Sequence, residues 1–282
     1  MNNNSILLID PNFEPASSTN LSLLVKIGAD AFSYAIIDDE RKLVHAVYDE
    51  QECEDGYEKF NERLKHDAYL QLKYQHVKVA IHTQNIIFVP QELFESVTES
   101  VINENEIAVY SKYFTDADSK RVYVQPSLQQ NFYTVFSLPA PVEKLIDENW
   151  GDQQRLQQNA GLIELAAKLD QDSLIIDFTV GAFQLIYVKN NSVVFVQSYQ
   201  FDGIDELTYY LLLIVGQLKI NTGQTSIKVC GIIHQGDEKW NCLAKYFDSI
   251  ELLILSSDLD TNVLDDMPAH YYTSLLALQQ CG

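Results

Sequence analysis

The chain has 282 residues and a formal net charge of −21, from 19 Lys and Arg against 40 Asp and Glu. With 46% hydrophobic residues it carries enough apolar material for a packed core, which argues against disorder for most of its length. The charge argues against a nucleic-acid binder working by phosphate neutralisation, because such proteins rest on basic patches. Residues 1–150 hold 12 basic and 24 acidic side chains and residues 151–282 hold 7 and 16, so neither half is a charged tail. No stretch approaches the roughly 18 apolar residues that span a bilayer. The opening MNNNSILLIDPNFEP lacks the basic start and long apolar core of a signal peptide. The expectation is a cytoplasmic protein with no membrane insertion.

In chain order, Leu21 to Ile27 reads as a strand ending at Gly28, Ala31 to Ile37 as a second and Leu43 to Tyr48 as a third. Tyr57, Phe60, Leu64, Ala68 and Leu72 recur at helical spacing. Val77, Val79 and Ile81 alternate as a strand, Ile86 to Val89 adds another, and Leu93, Phe94, Val97 and Val101 share a helix face. Residues 103–120 are polar, acidic and aperiodic, and are expected to form the most mobile surface. Arg121 to Gln125 and Phe132 to Leu138 follow, then helices over Pro141 to Trp150 and Asp152 to Asp170, with Pro139 and Pro141 marking a helix start.

The second half repeats the order. Ser173 to Phe178, Ala182 to Val188 and Val193 to Tyr199 read as strands. Leu207, Tyr210, Leu211, Ile214 and Leu218 line an amphipathic helix. Ile227 to Ile233, residues 237–247 and Ile250 to Leu255 supply strand, helix and strand. Both halves read strand–strand–strand–helix–strand–helix, and Ala31-Phe32 matches Ala182-Phe183 at an offset of 151 residues. The expected organisation is two units, residues 1–150 and 151–282, with the apolar ending after Met267 packing a terminal helix back on the core.

A duplicated unit of this kind resembles the actin-like ATPase fold, in which two RNase H-like halves flank a nucleotide cleft. The chain is also similar to a bacterial family of unknown function with that fold. Asp172 to Val188, Tyr199 to Leu213 and Met267-Pro-Ala-His-Tyr-Tyr272 carry the resemblance, which runs from about Leu21 to the C-terminus. More distantly the fold resembles cytoplasmic actin-like components of type IV pilus and type II secretion assemblies.

The resemblance implies two phosphate-binding hairpins, each with a magnesium-holding Asp and small residues, and a glycine pair beside the adenosine. At the first hairpin the acid's place is taken by Lys26, and Gly28 has no Ser or Thr beside it. The second reads Asp177-Phe178-Thr179-Val180-Gly181, with one Gly and bulky neighbours that hinder close approach of a phosphate. Gly231, inside the strand ending at Ile233, has no adjacent glycine and reads as a bulge or close-packing position. If a nucleotide binds, Lys26, Gly28, Asp177, Thr179, Gly181 and Gly231 are the residues to hold it. The eroded motifs lead instead to no cofactor, with Mg-ATP disfavoured.

Other chemistries are weaker. Cys230, His234 and Cys242 match no zinc spacing, and no Cys-x-x-Cys pair exists. Asp177 with Asp205 or Glu206 suggests a two-metal nuclease, against which the net charge stands. His270 reads as a structural hydrogen-bonder, and Tyr209, Tyr210, Tyr271 and Tyr272 as core or cleft walls. No residue is assigned a catalytic or metal-binding role. The expectation is a non-catalytic protein-interaction or scaffold module with a neutral or basic partner; the alternative is a divergent nucleotide binder or ATPase.

Overall fold

Three sheets organise the protein in a computed structural model that describes residues 5–93, 110, 112–114, 121–127, 130, 132–151, 153–169, 171–256 and 258–281. The first sheet is ordered β1 (Ser5–Ile9), β4 (Leu43–Glu50), β3 (Phe32–Asp38), β2 (Ser22–Ile27), β5 (His76–Ile81) and β9 (Gln154–Gln157). The second is ordered β12 (Ser192–Gln200), β11 (Ala182–Lys189), β10 (Ser173–Phe178), β13 (Ser226–Gly231) and β14 (Ile250–Leu252). In each, a three-stranded antiparallel meander is extended by parallel strands. Lys26 pairs with Ser33 across β2–β3 and Asp177 with Gln184 across β10–β11, so the registers coincide at the offset seen in the sequence. A third sheet, β6 (Ile86–Pro90), β8 (Phe132–Phe136) and β7 (Tyr123–Ser127), is inserted between β5 and β9.

Every residue of β2 and β10 is buried, because both sheet faces are covered. On one face of the first sheet Phe32, Tyr34 and Val25 pack with Phe60 of α1 (Gly56–Leu64) and Ile146 of α2 (Ala140–Trp150). On the other, Leu24 and Ala35 meet Leu275 and Leu276 of the terminal helix, residues 273–276. In the second sheet, Leu174, Ile176 and Phe183 pack with Leu207, Leu211 and Ile214 of α4 (Ile204–Leu218). The short helix α3 (Ala160–Ala166) lies between the two units, sharing a cluster with Ile175 and Ile186 and touching Ala277.

Several local expectations change. The helix expected to reach Leu72 stops at Leu64, because the Asp67 carboxylate accepts from the amides of Tyr69 (2.8 Å) and Leu70 (3.2 Å) and stabilises a turn instead. Residues 154–157, expected in a helix from Asp152 to Asp170, form β9, where pairing with Lys78 to Ile81 outweighs local propensity. That strand lies beyond residue 150 yet extends the first sheet. The final strand ends at Leu252 rather than Leu255. Ser5 to Ile9, given no element in the sequence reading, adds an edge strand on β4. The expected helix through Phe94, Val97 and Val101, and most of the insert at 103–120, lie outside the described residues.

Candidate functional site

A cleft of about 820 Å³ is lined by both units. The β2–β3 turn contributes Gly28, Ala29 and Asp30, and the β10–β11 turn contributes Asp177, Thr179 and Ala182. The two turns share a backbone plan. Gly28 N–H donates to Ala31 at 2.8 Å, and Thr179 N–H donates to Ala182 at 2.9 Å. Gly56, at the start of α1, presses on the first turn: a Cβ there would lie 2.3 Å from the Gly28 carbonyl oxygen.

The turns are fastened to each other. Lys26 Nζ donates to Asp177 Oδ2 at 2.5 Å and to Ser274 Oγ at 2.7 Å, with the Lys26 and Asp177 side chains 9% and 3% exposed. The second carboxylate oxygen of Asp177 accepts a weak bond from Cys230 Sγ at 3.5 Å. Both oxygens of Asp30 lie 2.9 Å from the Thr179 hydroxyl, and Oδ2 accepts from the Gly181 amide at 2.9 Å. The lysine ammonium thus sits on the acid of the second turn, and the acid of the first turn sits on that turn's hydroxyl and amide. Buried carboxylates need such partners, because leaving one unpaired costs several kcal/mol.

Surrounding groups complete the arrangement. Lys239 on α5 (Glu238–Ala244) donates to the carbonyls of Thr179 (2.8 Å) and Ile232 (3.0 Å) and stands 5.3 Å from the Phe178 ring centre; burial lowers its pKa. Gly231 has φ +76°, and a Cβ on it would lie 2.1 Å from the Phe178 carbonyl and 2.6 Å from Asp177 Oδ1. Close approach to Asp177 therefore requires glycine here. Asp49, beside Lys26 in an adjoining small cavity, accepts from Gln51 at 2.8 Å. Burial pushes its carboxyl up to about 6, against the pull of the Lys26 charge. Burial and the Asp177 charge likewise push the Cys230 thiol well up, so it is no nucleophile.

Farther out, Gln158 Nε2 donates to His82 Nδ1 (2.8 Å) and Ser198 Oγ (2.7 Å), and Asn159 N–H donates to Gln157 Oε1 (2.7 Å). Burial holds His82 below its usual pKa, so its ring is neutral at pH 7. The charged side chains lining the cleft, among the described residues, are the carboxylates of Asp30, Glu54, Asp55 and Asp177.

With this geometry the wider relationships take on meaning. The chain belongs to the DUF3822 family. The match covers residues 10–250, and the family is described as a protein of unknown function. The chain has no match among curated proteins. Its fold is that of the actin-like ATPases. A Bacteroides thetaiotaomicron protein with actin-like ATPase fold and unknown function superposes with TM-score 0.75 at 16% identity, covering 96% of this chain and 99% of the other. A chain of the PilM–PilN type IV pilus biogenesis complex gives 0.59 at 14% identity, over 93% and 98%. The ethanolamine utilization protein EutJ from Carboxydothermus hydrogenoformans gives 0.51 at 9%, over 98% and 93%. Among the described residues, no helix is long and apolar enough to cross a membrane.

In this DUF3822 chain the six candidate residues from the sequence all fall at or beside the two turns: Gly28, Asp177 and Thr179 line the cleft, and Lys26 and Gly231 line the adjoining small cavity. Lys26, Asp177, Thr179 and Gly181 are engaged with one another's units, and Gly231 packs on Asp177. Asp205 and Glu206 begin α4, where Glu206 accepts from the Asp202 amide at 2.9 Å and takes no part in the Lys26–Asp177 contact. Cys242 contacts the Thr208 hydroxyl at 3.1 Å, apart from Cys230 on Asp177. His270 donates from Nε2 to the Ile233 carbonyl at 2.7 Å, a structural bond, and Tyr271 contacts His234. Tyr210 packs against Tyr199 on the second sheet.

Asp30, Ser274, Asp49 and Lys239 escaped the sequence reading. One signal was available for the central pair. Lys26 and Asp177 are 151 residues apart, the same offset that aligns Ala31-Phe32 with Ala182-Phe183. Opposite charges at one position of a repeated unit are candidates for pairing across the pseudo-symmetry. Asp30 carries a similar signal, standing 151 residues before the Gly181 amide it accepts from.

Proposed function

We propose that this chain is a non-catalytic, cytoplasmic actin-like protein that acts by binding a protein partner of neutral or basic surface, with no nucleic-acid role. The observation that carries this reading is the pair of contacts between the turns. A magnesium nucleotide needs a free carboxylate for the hydrated cation and free amides or hydroxyls for phosphate. Here an ammonium occupies Asp177, and the Asp30 carboxylate occupies the Thr179 hydroxyl and the Gly181 amide. Internal groups of the same charge types fill both places. The donor set therefore does not fit a magnesium-bound polyphosphate, and the carboxylates lining the cleft would repel one. The retained two-unit fold offers a cleft for other partners. The PilM–PilN complex provides a protein of this fold within a protein assembly. Four free cysteines accord with a reducing compartment.

The rival reading, a divergent nucleotide binder, draws on the cleft's volume of about 820 Å³ and on its place in the fold. Thermal unfolding with and without millimolar Mg-ATP separates the two. The midpoint is expected to stay unchanged; a clear rise that Asp177→Ala abolishes would overturn the non-nucleotide reading.

A further inference from the structure

β12 is an outer strand of the second sheet, and the cleft opens along it. Five consecutive residues, 196–200, line the cleft, so side chains from both faces of the strand border it. The strand therefore presents its edge to the space rather than one face. The Phe201 amide donates to the Gly181 carbonyl at 2.9 Å, toward β11. Antiparallel alternation then turns the N–H and C=O of Gln197 and Tyr199 toward β11 as well, and those of Val196, Ser198 and Gln200 outward. These outward backbone groups have no protein partner among the described residues.

The edge also lacks the usual protection. Exposed edge strands ordinarily carry charges, prolines or bulges that prevent pairing with another chain. Between Lys189 and Asp202 there is no charged residue and no proline, in a chain whose residues are 21% charged. The register shift opposite Tyr187 and Val188 lies at the far end of the strand and leaves residues 196–200 regularly paired. By contrast, the other outer strand of this sheet, β14, spans only three residues and carries Glu251.

The surroundings define the guest. β6 and the start of α2 add Ile86, Phe88, Pro139 and Val142 to the cleft lining, which suits apolar side chains on a guest. The charged groups lining the cleft, among the described residues, are carboxylates, which disfavour an acidic guest. The volume of about 820 Å³ lies within the ~300–1,000 Å³ range of ordinary binding pockets.

We infer that a partner polypeptide adds an extended, non-acidic segment to β12 along residues 196–200, as an extra strand within the cleft. This inference rests on the reading of the protein as a partner-binding module. It adds the mode of recognition, which is backbone pairing with a charge preference.

The test is titration calorimetry of the full chain at low salt with blocked heptapeptides that alternate valine and threonine. One version carries lysine at both ends and another carries glutamate. The lysine peptide is expected to bind with Kd below about 1 mM, and the glutamate peptide at least about tenfold more weakly. N-methylation at every second residue blocks the amides along one edge of a strand. Of the two complementary methylated lysine peptides, one is expected to weaken about tenfold or more and the other to stay within about threefold. Gln200→Pro, at an exposed position on the outer strand, removes one outward amide and is expected to weaken the lysine peptide about tenfold. Gln200→Ala keeps that amide and is expected to leave binding unchanged. No binding of the lysine peptide overturns the inference, as does equal loss in both methylated peptides or unchanged binding to Gln200→Pro. Tighter binding of the glutamate peptide overturns the non-acidic guest. A parent chain that sediments as a dimer, dissociated by Gln200→Pro, assigns the edge to a second copy and overturns the partner segment. Mg-ATP, titrated in parallel, overturns the underlying reading instead if it binds, so the two failures are distinguishable.

Discussion

The two hairpin turns share a backbone plan and differ in chemistry. At the same position of the two units stand Lys26 and Asp177, and at another stand Asp30 and Gly181. Each difference is complementary: cation faces anion, and carboxylate faces amide. Two turns that both presented acids to a shared metal would repel each other without it. These two attract, so the floor of the cleft is closed by the chain itself. Shared geometry therefore does not carry shared function; the side chains at equivalent positions decide it.

Breaking the central pair tests the comparison most severely. Lys26→Met leaves Asp177 buried and unpaired, and is expected to cost about 3–5 kcal/mol in urea unfolding. Asp177→Leu alone should cost a similar amount. The double variant is expected to recover much of the loss, since two apolar groups replace a desolvated pair; a double variant that loses the sum of both would show the pair is not the coupling.

Asp49 sharpens the picture through pH. Its folded-state value, raised from 3.8 to about 6, means that the folded protein holds this proton more tightly than the unfolded chain. Its contribution to stability is fully present below about pH 4 and is lost as pH rises through about 6. Asp49→Asn, which keeps the bond from Gln51, is expected to stabilise by on the order of 2–3 kcal/mol at pH 8 and by nothing near pH 4. A gain independent of pH would count against this assignment.

Gly231→Ala places a methyl against the Phe178 carbonyl at positive φ, with an expected cost of about 2 kcal/mol in thermal or urea unfolding. An unchanged midpoint would show that β13 need not approach Asp177 closely. The smallest effect is expected from Asp30→Ala, which frees the Gly181 amide and the Thr179 hydroxyl of a half-buried turn. A loss of about 1 kcal/mol is expected, together with faster hydrogen exchange at the Gly181 amide. Exchange at Gly181 as slow as in the parent would place its protection elsewhere.

Much of the architecture is legible in the sequence because it is written in short-range periodicity. The apolar runs Leu21 to Ile27 and Ser173 to Phe178, the helical spacing from Leu207 to Leu218 and the offset of Ala31-Phe32 from Ala182-Phe183 all survive as elements and register. Where local propensity competed with pairing, the sequence misled: Gln154 to Gln157 became a strand because β5 offered an open edge. A single carboxylate, Asp67, stopped a helix that apolar spacing carried on to Leu72.

By itself, then, the chain's composition and pattern determine an acidic α/β protein whose two halves share one order of elements. They also make Lys26 and Asp177 the residues to watch. Only the tertiary structure decides that these two groups meet and that Asp30 reaches the turn of the other unit. The reason is physical. Contacts between residues 149–151 apart arise when the turns of two independently patterned sheets are brought together, and no local period encodes which side chains then fall within 3 Å.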